Sequence, residues 1–239
     1  MTASSEILFG RDSTVAPIGV IAMNSVTELG KKIDDYLVDW AGKGGVNVDT
    51  FLVESECPRF SSGDGKGLIK STVRGKDLFI ILDVGNYNVK YDYFGKENSM
   101  SPDDHFQDLK RIIQAASGKA HRVNVIMPIL YGGRQHRRSY RESLDCACAL
   151  QELEAMGVSN IVTFDAHDPR VQNAVPLMGF DNVMPTYQVL KAMFRDIKDI
   201  DFTKEKFMVV SPDEGALNRN MYYACLLYTS DAADDLIGV

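Results

Sequence analysis

Three short segments of this chain combine residue types that bind anions or divalent metal ions. The first, Tyr131 to Arg138, has the sequence YGGRQHRR, and Arg141 follows closely. Paired glycines allow a backbone to approach a ligand, and the planar guanidinium group suits the paired oxygens of a polyphosphate. An anion site is therefore one interpretation of this segment. A solvated basic loop that pairs with surface carboxylates is the other.

The second and third segments offer donors for a metal ion. An imidazole and two carboxylates come together in Asp165-Ala166-His167-Asp168, and Asp213 lies in Ser211-Pro212-Asp213-Glu214. Carboxylates and neutral imidazole bind hard or borderline divalent cations, which could bridge phosphate oxygens. Taken alone, each segment also fits an ordinary surface turn.

Each of these segments comes directly after, or at the end of, a predicted strand. Near-continuous apolar runs predict strands at five places: Pro17–Met23, Asp77–Asp83, Arg122–Leu130, Ser159–Asp165 and Phe207–Ser211. Helical spacing predicts four helices between them. The first begins at a capping box, Ser25–Glu28, and the second begins at Ser101–Asp104. The third covers Ser143–Met156 and the fourth covers Tyr187–Ile197.

This alternation predicts the fold class. Strands that are apolar on both faces and alternate with helices indicate a doubly wound α/β fold, in which helices cover both faces of a parallel sheet. Ligands bind such sheets at the carboxyl ends of the strands, which is where the three segments lie. The charged stretch Arg195–Lys206 is the predicted domain boundary, and a plain solvated loop is the alternative.

Composition excludes several classes of protein. The chain has 239 residues, of which 45% are hydrophobic, and a net charge of −7, which disfavours a nucleic-acid partner. No apolar run is long enough to span a membrane and the start lacks a secretion signal, so we expect no membrane contact and a cytoplasmic location. Four cysteines without a CxxC pair indicate reduced thiols.

Several motifs in a fixed order resemble those of the ribose-phosphate pyrophosphokinases. They are Arg59-Phe60 with Asp64-Gly65, Val73 to Asp77, Arg134-Gln135, Asp165-Ala166-His167, and Val210 to Asp213. The resemblance runs from Ile18 to about Ala224, and the combination is far more specific than any one motif. It implies a fold of the phosphoribosyltransferase-like type, with a complete N-terminal domain and the start of a second, similar domain.

The resemblance also implies an activity. The family transfers the diphosphoryl group of ATP to ribose 5-phosphate, giving phosphoribosyl pyrophosphate and AMP for nucleotide biosynthesis, and it requires Mg²⁺. By similarity, Arg134 and Gln135 contact ATP, and His167 and Asp213 coordinate magnesium around the phosphates. Asp64 approaches adenine from a neighbouring subunit of a homo-oligomer.

The sequence departs from the family pattern near these positions. His136 follows the Arg-Gln pair where the family usually has aspartate, and Lys66 follows Asp64-Gly65 where an acidic residue is usual. The loop from Tyr131 to Glu142 is also about one residue short. These departures affect the expected adenine contacts more than the metal site.

The end of the chain is unlike the family. We expect an N-terminal domain at residues 1–198, the beginning of a C-terminal domain at 199–224, and a non-native tail at 225–239 that resembles a translated sequencing adapter. The catalytic residues and the sugar-phosphate site are expected in a C-terminal part beyond Ala224. The chain as written is therefore expected to be inactive.

Three other functions are alternatives to this one. A non-catalytic regulatory relative would have no need of His167 and Asp213. A phosphoribosyltransferase shares the fold but lacks the Arg134-Gln135 and Asp165-Ala166-His167 motifs. A structural fragment without activity is a third possibility for the molecule as written.

Overall fold

The computed structural model describes residues 15–197, 201 and 206–227. The chain divides into two compact units, Met1–Val183 and Met184–Val239. Domain limits at residues 198 and 224 stay predictions, because the internal contacts of this chain do not define the domains of a longer protein.

The helices and strands alternate along the first unit, with two small hairpins inserted. In chain order the elements are β1 Ile18–Ala22, α1 Thr27–Lys43, β2 Ser55–Glu56, β3 Leu68–Ile69, β4 Asp77–Ile81, β5 Lys90–Tyr93, β6 Lys96–Ser99, α2 Pro102–Ala116, β7 Arg122–Ile126, α3 Asp145–Ala155, β8 Val158–Phe164 and β9 Gly179–Val183. The second unit contains α4 Thr186–Asp196 and α5 Leu217–Leu227.

Five strands form one parallel sheet in the order β1-β4-β7-β8-β9. Four of them lie where the sequence predicts strands. The fifth, β9, was not predicted, because its sequence GFDNV is short, half polar and begins at a glycine. The predicted parallel α/β fold is confirmed.

Helices cover both faces of this sheet, as the apolar strands predicted. On one face, α2 and α3 pack on a cluster that includes Ile80 and Val125. On the other face, α1 packs on a cluster that includes Val20 and Ile81. Because successive strand residues point to opposite faces, a strand that is apolar throughout supplies both clusters.

The chain reverses its direction of travel across the sheet once. After α1, it returns on the outer side of β1, where Val20 pairs in parallel with Leu52. It then crosses to the inner side of β1 to form β4, and every later strand adds in that second direction. Right-handed crossovers in opposite directions place α1 on one face and α2 and α3 on the other. The reversal is a topological switch point between β1 and β4.

The predicted capping box at Ser25–Glu28 is wrong. A 3-10 helix, Asn24–Val26, precedes α1, and neither the cap of that helix nor the cap of α1 has a side-chain hydrogen bond. The Ser25 hydroxyl instead accepts a hydrogen bond from the backbone N–H of Asp83, just beyond β4, at 2.9 Å. A partner distant in sequence therefore replaces the local cap. The capping box predicted for α2 is present, between Ser101 and Asp104.

The predicted strand at Phe207–Ser211 is also wrong. These residues form no strand, and Met208 and Val210 are 78% and 70% exposed. An apolar segment becomes a strand only where a neighbouring strand supplies hydrogen bonds, and none pairs with it within the part of the chain that the structure describes. Most of the predicted non-native tail lies outside the described residues, and Cys225 to Leu227 complete α5.

Among the residues that the structure describes, no helix combines the length and the apolar composition needed to span a bilayer.

Candidate functional site

The arginine loop, residues 131–142, begins at the carboxyl end of β7 and is fixed by its first residue. The Tyr131 ring stacks on Phe106 of α2 with centroids 4.3 Å apart, and its hydroxyl donates to Asp103 at 2.8 Å. Burial, together with the Asp103 carboxylate, raises the pKa of Tyr131 to about 12. The phenol therefore stays a neutral donor, and it anchors the loop to α2.

A tight turn follows this anchor. The Gln135 N–H donates to the Gly132 carbonyl, and Gly132 has a φ of +65°. A Cβ at Gly132 would lie 3.1 Å from the backbone nitrogen of Cys146 at the start of α3. Glycine is thus needed here for the turn and for its close approach to α3.

Beyond the turn, the loop presents positive charge to solvent. Arg134, Arg137, Arg138 and Arg141 are all exposed. Within residues 15–197, 201 and 206–227, none of the four guanidinium groups forms an ion pair or a hydrogen bond. The described structure therefore favours an anion site over a basic loop neutralised by nearby carboxylates.

The loop that carries His167 begins at the carboxyl end of β8, the next strand of the sheet. Two hydrogen bonds hold it to the end of β9. Asp165 N donates to the Val183 carbonyl at 3.0 Å, and Ala166 N donates to Asn182 Oδ1 at 2.9 Å. Asp165 itself has a φ of +49°, which turns the chain sharply at the end of the strand. The His167 side chain emerges exposed.

His136 joins the two loops. Its Nε2 lies 3.4 Å from Asp168 Oδ2, and its ring centroid lies 5.2 Å from that of His167. The side chains of His136 and Asp168 are only 13% and 11% exposed. The other ring nitrogen, His136 Nδ1, is buried and has no hydrogen-bond partner among the described residues. The arginine loop and the His167 loop are thus held side by side.

Arg170 fixes the Asp168 carboxylate. Its guanidinium group donates to both carboxylate oxygens, and its backbone N–H donates to Asp168 Oδ1 at 2.9 Å. These hydrogen bonds from Arg170 hold the pKa of Asp168 well below its usual range. Asp168 is therefore a charged structural group that is already occupied by a cation, and a poor candidate for a metal ligand.

The protein groups left to bind Mg²⁺ are few, so the ion would keep most of its water ligands. In the described part of the chain, no three His, Cys, Asp or Glu side chains converge to hold a metal ion. Exposed His167 beside Asp165 offers a sparse set of donors. Mg²⁺ usually keeps several waters and binds through one or two protein groups together with substrate phosphates. Such an arrangement is compatible with His167 near the arginine loop.

The other two predicted site residues belong to different elements. Asp64 is on the turn between β2 and β3, where its carboxylate accepts from Ser62 at 2.8 Å and its carbonyl accepts from Phe60 N–H. Asp213 belongs to the second unit and caps the 3-10 helix Glu214–Ala216, accepting from Ala216 N at 2.9 Å. The roles of both residues stay predictions.

Reasoning from the sequence missed the residues that join the loops. His136 was noted only as a departure from aspartate, and Arg170 and Asn182 were not singled out. The departure at His136 was the one available signal, because a change beside Arg134 and Gln135 suggests a changed partner.

Comparisons with known proteins identify the family of the chain. Residues 18–157, more than half of the chain, match the model of the N-terminal domain of ribose phosphate pyrophosphokinase. The chain therefore belongs to the ribose-phosphate pyrophosphokinase family.

Individual relatives support the same family. A ribose-phosphate pyrophosphokinase of Fusobacterium nucleatum is 28% identical over 204 residues, which are 84% of this chain and 55% of the relative. That of Bacillus caldolyticus is 27% identical over 202 residues, 84% of this chain and 54% of the relative. The chain thus spans about half the length of the curated relatives that it matches.

A solved structure shares the fold. The phosphoribosylpyrophosphate synthetase from Mycobacterium smegmatis matches with a TM-score of 0.68 and 19% identity, over 88% of this chain and 61% of that one. At this identity the likeness shows the fold, which is the phosphoribosyltransferase-like type expected from the sequence.

Proposed function

We propose that this chain forms the ATP-binding half of a ribose-phosphate diphosphokinase. The complete enzyme transfers the diphosphoryl group of ATP to ribose 5-phosphate and releases phosphoribosyl pyrophosphate and AMP. Transfer of this kind depends on positioning both substrates and on neutralising charge, with little acid-base chemistry. A cytoplasmic homo-oligomer is part of the proposal, because Asp64 would reach adenine from a neighbouring subunit.

One observation carries the proposal. Two loops at the carboxyl ends of the adjacent strands β7 and β8 are joined by the contacts of His136 with Asp168 and His167, so the loop whose arginines are unpaired among the described residues adjoins the loop of exposed His167. Arginines without a carboxylate partner suit a polyphosphate, and an imidazole beside them suits a cation that accompanies the phosphates. Both lie where ligands bind in open α/β sheets.

Within this site, Arg134 and Gln135 would hold the phosphates of ATP, and His167 would hold Mg²⁺ beside them. Asp213, in the second unit, is proposed as a further magnesium ligand from the family resemblance alone. When bound, the metal ion supplies neutralisation of phosphate charge. His136 and Asp168 would act as positioning residues, since each fixes a loop without facing the substrate. The groups that bind ribose 5-phosphate and complete catalysis are proposed to lie in the part of the family's length beyond this chain.

Binding of ATP to the chain as it stands tests the first half of this proposal. Titration calorimetry with ATP and magnesium should show weak binding that Arg134→Ala reduces by at least about tenfold, because a charge-assisted hydrogen bond in a site is lost. The control is Arg195→Ala, which removes an exposed arginine from α4. Equal losses for both variants would contradict a specific role for the arginine loop.

Turnover tests the second half. In a version that continues past Ala224 through the remaining family sequence, we expect ribose-dependent AMP release that His167→Ala lowers by at least about tenfold with a weaker magnesium response. Arg134→Ala should raise KM for ATP more than KM for ribose 5-phosphate. Intact ATP binding without turnover would instead identify a non-catalytic regulatory relative.

A further inference from the structure

A second cleft lies in the first unit at the topological switch point between β1 and β4. It has a volume of about 740 Å³ and is lined by residues that follow three strands: Asn24–Val26 after β1, Asp83 after β4, and Pro128 and Ile129 after β7. Neither the arginine loop nor His167 contributes to it. Clefts of this size at such a crevice commonly bind small molecules in open α/β sheets.

The walls of this switch-point cleft are held rigidly. Ser25 Oγ accepts from Asp83 N at 2.9 Å, and Asn86 Nδ2 donates to the Ser25 carbonyl at 2.7 Å. Asp83 Oδ1 accepts from Gly85 N at 2.8 Å. These bonds connect the end of β1 to the end of β4, so the floor of the cleft is formed before any ligand binds.

Other polar groups in the cleft remain available. Asp83 Oδ2 and the side-chain amides of Asn24 and Asn88 have no hydrogen-bond partner among the described residues. A carboxylate can accept from two neighbouring hydroxyls, as an acidic residue does with the ribose in dinucleotide-binding folds. The free groups therefore suit a ligand with adjacent hydroxyls.

One side of the cleft is apolar. Leu29 and Ile129 line it and are 43% and 57% exposed, although large aliphatic side chains are usually buried. A flat, weakly polar ring placed against them would remove that surface from water. Ligands that combine such a ring with a vicinal diol match both sides of the cleft.

Charge and backbone argue against polyphosphates at this cleft. Glu28 and Asp83 outnumber Lys32 among the charged lining residues. The turn after β1, Met23-Asn24-Ser25-Val26, has no glycine to let its backbone approach a pyrophosphate, unlike the glycine-rich turns of nucleotide folds. An uncharged ligand fits better than an anionic one.

We infer that the switch-point cleft binds a nucleoside, with Asp83 accepting hydrogen bonds from the ribose diol and with Leu29 and Ile129 covering the base. This site is separate from the arginine loop and does not depend on the function proposed for that loop. The chain would thus have two binding sites, one for ATP at the arginine loop and one for a nucleoside without phosphate at the switch-point cleft.

Titration calorimetry of the chain with adenosine, under identical conditions for each variant, tests this inference. Asp83→Asn keeps an oxygen to accept from Gly85 N but loses the charge, and we expect it to weaken adenosine at least about tenfold. The matched control, Asp35→Asn, removes an exposed carboxylate of α1 outside the cleft and should leave the affinity unchanged. Circular dichroism confirms that each variant is folded.

Two further arms locate the binding. In wild type, 2′-deoxyadenosine should bind at least about fivefold more weakly than adenosine, because one hydroxyl of the diol is lost. Arg134→Ala should weaken ATP but leave adenosine affinity unchanged, because Arg134 does not line the cleft. Absence of saturable adenosine binding to folded wild type, or a loss caused by Arg134→Ala but not by Asp83→Asn, would overturn the inference while leaving the arginine-loop proposal intact.

Discussion

Individual side chains decide how the two loops at the end of β7 and β8 meet. His136 contacts Asp168 across the gap between the loops, and Arg170 compensates the Asp168 charge from the other side. A carboxylate held between two partners keeps its position whether or not a ligand is bound. The residues that would contact the ligand, Arg134 and His167, can therefore stay exposed without their loops being loose.

The Asp168 carboxylate makes stability depend on pH. Arg170 lowers the pKa of Asp168 in the folded state, while the pKa of an aspartate in the unfolded chain is about 3.9. The stabilisation is therefore present above that value and is lost as pH falls towards the lower folded pKa. Between about pH 4 and pH 2.5, we expect Tm to fall more steeply in wild type than in Asp168→Asn. Differential scanning calorimetry measures both slopes, with Asp35→Asn as control, and equal slopes in all three proteins would refute a native Asp168–Arg170 pair.

The four cysteines should divide into two reactivity classes. Burial raises the pKa of Cys57 to about 12 and that of Cys146 to about 11, whereas Cys148 and Cys225 are exposed. Since the thiolate is the reactive form, an aromatic disulfide reagent at mildly alkaline pH should titrate two thiols quickly and the other two only after denaturation. Cys57→Ser should leave the fast count unchanged and Cys148→Ser should lower it by one. Four fast thiols in the folded chain would contradict the described packing.

Among the elements, the β2–β3 hairpin is the one that carries Asp64, and ion pairs hold it to α2. Arg59 from the turn reaches Asp108 at 3.0 Å, and Arg111 reaches the other Asp108 oxygen at 2.6 Å. A Cβ at Gly65 would lie 2.2 Å from Arg59 Nη1, so any larger residue here would displace the ends of the arginine side chains. Burial raises the pKa of Asp108, and the two arginines oppose that effect.

This network makes Asp108 critical for the hairpin. The Arg59 and Asp108 side chains are 8% and 5% exposed, and removal of the carboxylate leaves the buried guanidinium group unpaired. We expect Asp108→Asn to lower the free energy of unfolding by about 3–5 kcal/mol. Urea denaturation measures it.

An exposed pair provides the control for that measurement. Lys90 and Glu97 pair across the β5–β6 hairpin with 51% and 68% exposure, so Glu97→Gln should change stability by less than about 1 kcal/mol. If Asp108→Asn were as mild as Glu97→Gln, the Asp108 network would not hold the hairpin.

At the scale of the whole molecule, the length of the chain limits the activity that we expect. Positioning contributes to catalysis when the reacting atoms of both substrates are held about 3–3.5 Å apart in the correct orientation. This chain spans about half of its curated relatives, and the sites proposed in it bind ATP and a nucleoside. In the proposed function, ribose 5-phosphate binds to residues from the rest of the family's length.

We therefore expect no ribose-dependent AMP formation by the 239-residue chain, even where ATP binds. A coupled assay for AMP, with ATP and magnesium and with or without ribose 5-phosphate, checks this. The version that continues past Ala224 serves as the positive control. Clear ribose-dependent turnover by the chain alone would disprove the placing of the sugar-phosphate site beyond Ala224.

The sequence by itself determined the features that depend on local pattern. Apolar runs and helical spacing were enough for β1, β4, β7 and β8 and for the helices between them, and the position of Arg134 and His167 after strands was enough to place them at one edge of the sheet. Burial on both faces leaves a strong pattern in each element, so these predictions did not need the fold.

Only the tertiary structure decided the features that depend on a distant partner. Ser25 accepts from Asp83 instead of capping α1, His136 meets Asp168 across two loops, and β9 pairs with β8 although its own sequence is weakly strand-like. Phe207–Ser211 shows the converse, because no strand among the described residues pairs with this strand-like sequence, and Met208 and Val210 stay exposed. Hydrogen bonds between residues far apart in sequence leave no periodic trace along the chain, so their partners become known only when folding brings them together.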